Sequence, residues 1–189
     1  MESADRKIIV AISGASGSIY GLRLLEELRR LENQPAEVAV LFTSNAREIM
    51  LQETGSIYSP HGREKIYDIH DFNAPFASGS SSFDTIIICP ASMGMVGRIA
   101  SGVSDDLVTR AADVMLKEKR RVIIVPRETP YNLIHLTNMK LLCEAGAVIL
   151  PASPSFYSNP ATIDELVMTV VERILIIAGF NARTYKWKE

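Results

Sequence analysis

Apolar residues along this chain alternate between two patterns. Short continuous runs at 7–12, 37–42, 85–89, 121–125 and 147–150 are apolar on both faces of an extended chain, as in strands buried in a parallel sheet. Between them the spacing turns helical. Ile19, Leu22, Leu25 and Leu28 recur at three-residue steps through about 31, and Ala46, Ile49 and Met50 mark a helix over 45–53. Further helices are predicted over 93–100, 105–119, 133–144 and 163–178, with Gly146 and Gly179 closing the last two. The stretch 54–82 is rich in Ser, Gly, Pro and Asp and reads as loop with one short strand near 66–69. Alternating strand and helix predicts an α/β protein, a parallel sheet with helices on both faces.

Bulk properties narrow this picture. A chain of 189 residues reads as a single domain over 1–189 with a substantial core. A net charge of -2 gives no electrostatic case for nucleic acid or an anionic membrane, and the basic run 117–121 is short and interrupted by Glu118. No apolar stretch approaches the roughly 20 residues of a membrane span. The only cysteines, Cys89 and Cys143, lie in apolar segments, so a reducing compartment is expected. Glu2 and Asp5 do not suit a signal peptide, and the expected location is the cytoplasm.

Chemistry concentrates where strands end. Residues 8–12 run into Ser13-Gly14-Ala15-Ser16-Gly17, residues 85–89 into Pro90-Ala91-Ser92-Met93-Gly94, and residues 122–125 into Pro126-Arg127-Glu128-Thr129-Pro130. In open α/β sheets, ligands sit beyond the carboxyl ends of the strands. The glycine spacing is not G-x-G-x-x-G. The segment reads equally as a tight turn, with Gly21 permitting close packing, or as a phosphate or flavin site at a helix N-terminus.

Other positions carry a plain reading beside a functional one. Arg110, Asp113 and Lys117 share a helix face, which is a surface ion-pair ladder unless the short connection from Lys117 towards Arg127 and Glu128 makes it a phosphate site. Tyr157, between Pro154 and Pro160, either plugs a core edge or donates a phenol. Arg173 in an apolar helix is a boundary residue or meets an anion, and Glu53 is a solvated acid or a general base. His61, His70 and His135 lack metal-ligand spacing, so no metal is expected, and no G-x-S-x-G elbow is present.

Six segments in order carry a resemblance: 14–21, 74–80, 89–92, 110–118, 126–130 and 151–157. Across roughly 7–179 the chain resembles the UbiX flavin prenyltransferases, long called phenylacrylic acid decarboxylases. The resemblance implies a flavodoxin-like (Rossmann-type) three-layer α/β/α sandwich that assembles into a dodecamer. It implies an enzyme joining the dimethylallyl group of dimethylallyl monophosphate to N5 and C6 of reduced FMN, with no metal, and delivering prenylated FMN to a UbiD-type decarboxylase. By the same resemblance Gly14, Ala15, Ser16, Thr43, Ser92, Met93, Gly94, Met95 and Arg127 hold FMN; counting back from Glu53 selects Thr43 over Ser44. Arg110, Lys117, Glu128, Tyr157 and Arg173 hold the prenyl phosphate, and Ser16 with Glu53 handles protons. Phe72 stands where some members have tryptophan. Two alternatives remain: an FMN-dependent decarboxylase acting directly, which in that fold uses a histidine near the flavin, and a non-catalytic FMN carrier, for which a second phosphate pocket would have no purpose.

Overall fold

The structure, a computed structural model, describes residues 5–182 and residue 185. The apolar runs form β1 (Lys7–Ile12), β2 (Glu37–Phe42), β3 (Glu64–Ile66), β4 (Phe83–Ala91), β5 (Arg121–Pro126) and β6 (Val148–Ile149). The helical periodicities form α1 (Ser18–Arg30), α2 (Ala46–Thr54), α3 (Met93–Ala100), α4 (Leu107–Lys117), α5 (Leu133–Glu144) and α6 (Ile163–Ile177). All strand pairs are parallel, in the order β3-β2-β1-β4-β5-β6. With the three-residue edge strand β3 set aside, this is the flavodoxin order.

Strand alternation builds two cores. Ile8, Val10 and Ile12 face α1, α2 and α6 with Ile87, Ile123 and Val125. Ile9 and Ala11 face α3, α4 and α5 with Ile86, Ile88 and Ile124. Both strand faces are buried, which is why these runs carry no polar alternation. The result is the expected three-layer sandwich. Gly21 lets α1 approach the sheet closely, since a Cβ there would lie 2.6 Å from the Cys89 carbonyl oxygen.

Two boundaries differ from expectation. The short strand expected at 66–69 is β3, Glu64–Ile66. Its position is set by polar contacts: the Glu64 carboxylate, nearly inaccessible, accepts from Arg29, from the Tyr58 hydroxyl and from the His61 N–H. Burial and that carboxylate push the Tyr58 phenol well up. The strand expected at 85–89 continues to Ala91, with its pairing to β5 shifted between Ile88 and Ala91, because Pro90 has no N–H for the ladder.

Candidate functional site

From β1 the chain winds one way to β2, and β4 lies on the other side of β1, so the crevice between the ends of β1 and β4 is the topological switch point. Ser13 joins its two sides. Its hydroxyl donates to the Pro90 carbonyl at 2.8 Å and accepts the Ser92 N–H at 2.8 Å. The turn then reaches Gly17, the N-cap of α1, at φ 103°, a left-handed conformation that glycine adopts without strain.

Glu53 comes to this turn from the last turn of α2. The Gly17 N–H donates to its two oxygens at 2.9 and 3.1 Å, and the Ser18 N–H donates to Oε2 at 2.8 Å. A carboxylate from a neighbouring helix thus caps the positive end of α1. Partial burial pushes the Glu53 carboxyl up, but the Ser16 hydroxyl and the Gly17 and Ser18 N–H groups outweigh it and hold the carboxyl below its ordinary value. Glu53 is therefore not simply a solvated acid; it is an ionised carboxylate fixed by main-chain donors.

Arg127, at the end of β5, reaches across the crevice and donates from Nε to the Ser16 carbonyl at 2.8 Å. Its Nη groups have no partner among the described residues. Thr43 directly follows β2, and its N–H donates to the Ile12 carbonyl at 3.0 Å, which places its backbone beside the end of β1. Ser92 is the N-cap of α3 and accepts the Met95 N–H at 3.3 Å. Met93 and Met95 bury their side chains in the core, and Gly94 is exposed with open space where a side chain would stand. At the mouth, this segment can offer only main-chain groups and a hydroxyl. Gly14, Ala15, Ser16, Thr43, Ser92, Gly94, Arg127 and Glu53 thus lie around one opening.

Of the other expected residues, Glu128 follows Arg127 at the end of β5 and the rest lie elsewhere in the protomer. Glu128 turns back on its own loop and accepts the Thr129 N–H at 2.9 Å. Lys117 precedes the start of β5 at Arg121, while Arg127 follows its end. Six strand residues, roughly 20 Å, separate the two ends, which overturns the proximity read from the short connection. Lys117 pairs with Glu118 at 3.0 Å and lies against Gly79, while Arg110 donates from Nε to the Ala77 carbonyl at 2.9 Å. Both cations therefore flank the serine-rich loop 77–82. Asp113 takes a 3.3 Å contact from Arg110, so the ladder reading holds for that pair. Tyr157 and Arg173 share a third place, a groove of about 1010 Å³ between the 150–160 segment and α6. Both are exposed, and so is Phe72.

The sequence reading includes Ser13 within the first strand-end turn and residues 77–80 within the motif 74–80, but assigns neither a role in the site. Ser13 is one serine among several, and nothing in its spacing marks it as the bridge between strands. Among the described residues no three His, Cys, Asp or Glu side chains come together as a metal-binding group, and no helix is long and apolar enough to cross a membrane. His135 serves the α5 capping box with Asn132, whose side-chain oxygen accepts the His135 N–H at 2.9 Å.

A doubly wound parallel sheet with glycine, hydroxyl and arginine groups around its switch point defines a flavin- or nucleotide-binding α/β protein. The flavoprotein family profile matches residues 1–175. The chain is 40% identical over 182 residues to the flavin prenyltransferase UbiX of Methanocaldococcus jannaschii, covering 95% of this chain and 97% of that one. Two solved structures superpose with TM-scores of 0.87. One is AnUbiX (PadA1) in complex with FMN and dimethylallyl pyrophosphate, at 36% identity, covering 97% of this chain and 100% of that one. The other is a dodecameric FMN-dependent UbiX-like decarboxylase from Escherichia coli O157:H7, at 34% identity with the same coverage. The chain belongs to the flavoprotein family, in its UbiX flavin prenyltransferase branch.

Proposed function

We propose that the protein joins the dimethylallyl group of dimethylallyl monophosphate to N5 and C6 of reduced FMN, within a single domain, and releases prenylated FMN for a UbiD-type decarboxylase. The observation that carries this reading is the Glu53 carboxylate, held ionised on the Gly17 and Ser18 N–H groups beside Arg127 at the switch point. Such a site combines a cation for a flavin with a base that needs no further activation at neutral pH.

The residues fit a flavin. Gly94 leaves open space, the first N–H groups of α3 lack intrahelical acceptors, and the Arg127 Nη groups are available. Bound there, reduced FMN would supply the nucleophilic N5 and C6. Arg110, Lys117 and Arg173 would stabilise charge on the departing phosphate, as preorganised cations do. Glu53 would accept at its carboxylate the proton lost from N5 as the first bond forms, with the Ser16 hydroxyl as its partner; closure at C6 would add one proton to the prenyl double bond and release one from C6, so the same carboxyl would give the first and take back the second. Tyr157 would donate its phenol to the phosphate, and Glu128, at the end of β5, would orient the cations around it.

Lys117 lies at the opposite end of β5 from Arg127, and Arg110 is turned to the Ala77 carbonyl, so the prenyl phosphate pocket is assigned to neighbouring copies in an assembly such as that of the dodecameric relative. The exposed Leu133, Ile134, Leu136 and Leu141 of α5 suit that assembly. The C-terminal tail with Trp187, the other candidate contact, lies outside the described residues. The unpaired Cys89 and Cys143 support a reducing compartment, the cytoplasm.

The test is anaerobic incubation with reduced FMN and either dimethylallyl monophosphate or the diphosphate, with flavin mass and carbon dioxide from a cinnamic-type acid followed in parallel. A flavin heavier by the prenyl unit, with the monophosphate preferred and no carbon dioxide, is expected. Carbon dioxide with unchanged flavin mass would overturn the reading in favour of direct decarboxylation. Tight FMN binding with neither product would favour a carrier.

A further inference from the structure

Arg127 is a cation that its own protomer leaves unneutralised. Among the described residues it forms no ion pair, and Glu128 beside it turns to the Thr129 N–H instead. Its polar tether is the Nε bond to the Ser16 carbonyl at 2.8 Å, in an exposed setting. One such bond contributes about 1 kcal/mol, against roughly 2 kcal/mol of rotamer entropy in an arginine side chain. Packing of the stem has to supply the rest.

The surroundings of Gly17 show where that packing lies. A Cβ at Gly17 would stand 3.1 Å from Tyr20 Cδ2, 3.3 Å from Tyr20 Cε2 and 3.8 Å from Arg127 Cγ. The Tyr20 ring and the Arg127 stem therefore converge on the face of Gly17 that carries no side chain. The Tyr20 N–H donates to the Gly17 carbonyl at 3.0 Å, which sets the ring over this turn. Tyr20 is half-buried and its ring packs against the core beneath α1. Burial pushes its phenol up, the Cys89 thiol beneath adds to this, and the Arg127 charge pulls the other way, as suits a phenol near that guanidinium. The Tyr20 hydroxyl makes no hydrogen bond among the described residues, so the ring is the part in use.

We propose that Tyr20 is a positioning residue for Arg127, its ring walling the arginine stem over Gly17 so that the guanidinium spans the crevice before a flavin arrives. Arg127 would then lose little freedom on binding, and both Nη groups would already face the ligand. The role rests on Arg127 as a flavin ligand and is independent of the prenyl transfer step.

The experiment is a fluorescence titration of FMN into the full, flavin-stripped protein. Wild type is compared with Tyr20→Phe, Tyr20→Leu, Tyr20→Met, Arg127→Ala and each of the Leu and Met variants combined with Arg127→Ala. Methionine, unbranched and a good helix former, covers a leucine variant that folds poorly. Tyr20→Phe should bind within about twofold of wild type, and Tyr20→Leu and Tyr20→Met about tenfold more weakly. On the Arg127→Ala background the same two changes should alter the dissociation constant by less than about twofold. Equal losses in both backgrounds would overturn the proposal, since the ring would then support the fold rather than Arg127. So would wild-type affinity in Tyr20→Leu or Tyr20→Met, or a loss in Tyr20→Phe as large as theirs. Wild-type affinity in Arg127→Ala would overturn it too, by removing the ligand being positioned. If the affinities follow the expected pattern but no protein prenylates flavin, the positioning stands and the proposed function falls.

Discussion

The Ser13 hydroxyl accepts the Ser92 N–H at 2.8 Å and ties the end of β1 to the N-cap of α3. The same hydroxyl donates to Pro90, the residue that interrupts the β4–β5 ladder. One buried side chain thereby fixes the width of the crevice in which the flavin is expected.

Replacing Ser13 with alanine leaves the partly buried Ser92 N–H without its acceptor and removes the hydroxyl donor from the Pro90 carbonyl, which keeps only the main-chain N–H of residue 13 at 3.1 Å. The cost should be about 1–3 kcal/mol of stability, read from denaturant midpoints. FMN affinity should fall as well, because the first turn of α3 loses its register to the β1 turn. Unchanged stability and affinity together would show that the bridge is incidental.

Glu53→Gln should bind FMN nearly normally and lose about 10²–10⁴-fold in prenylation rate, since the amide keeps the shape but cannot take a proton. Single-turnover rates with saturating ligand separate the two effects. The Glu53 carboxyl is held down in the folded state, so its contribution to stability is present above the ordinary carboxyl value of 4.5 and is lost as pH falls through the lower folded value. Unfolding midpoints of wild type and Glu53→Gln measured from neutral pH downward should therefore converge on the acid side.

Lys117→Ala and Arg173→Ala should each weaken prenyl phosphate binding by about 1.5–3 kcal/mol while FMN remains bound. Neither residue lies at the switch point. Titration of flavin-loaded protein by calorimetry checks this, and an equal fall in flavin affinity would show that there is one pocket rather than two.

Leu133→Asp with Ile134→Asp should break the assembly without unfolding the protomer, because both side chains are exposed on α5. Light scattering after size exclusion should report smaller species with near-normal circular dichroism. Retention of full prenylation activity by those species would contradict a pocket shared between copies.

Much of this was legible in the chain because burial on both faces leaves a simple signature. The runs at 7–12 and 121–125 are the interior strands β1 and β5, and the glycine at the β1 turn is left-handed because the backbone there requires it. The boundaries that moved depend on partners distant in sequence. β3 is fixed by Arg29, some 35 residues before Glu64, and nothing in the apolar pattern records that contact. Within the site, Glu53 reads as an ordinary surface acid until the fold delivers the Gly17 and Ser18 amides to it. The motif 92–95 was legible as a ligand segment, but the direction of its methionines was not, because helical phase decides which side chains enter the core.

The separation of Lys117 from Arg127 along β5 has a consequence for mixtures. Two impaired variants, Lys117→Ala and Glu53→Gln, would each damage a different contributor to the proposed shared pocket, and the first shows its defect at prenyl phosphate concentrations below saturation. Dissociated, combined and allowed to reassociate at random, they should form hybrid particles in which roughly a quarter of the pockets draw both intact residues from different chains. Activity at low prenyl phosphate would then rise above that of either parent, and heterozygous lesions of this kind would complement where two lesions on the same contributor would not.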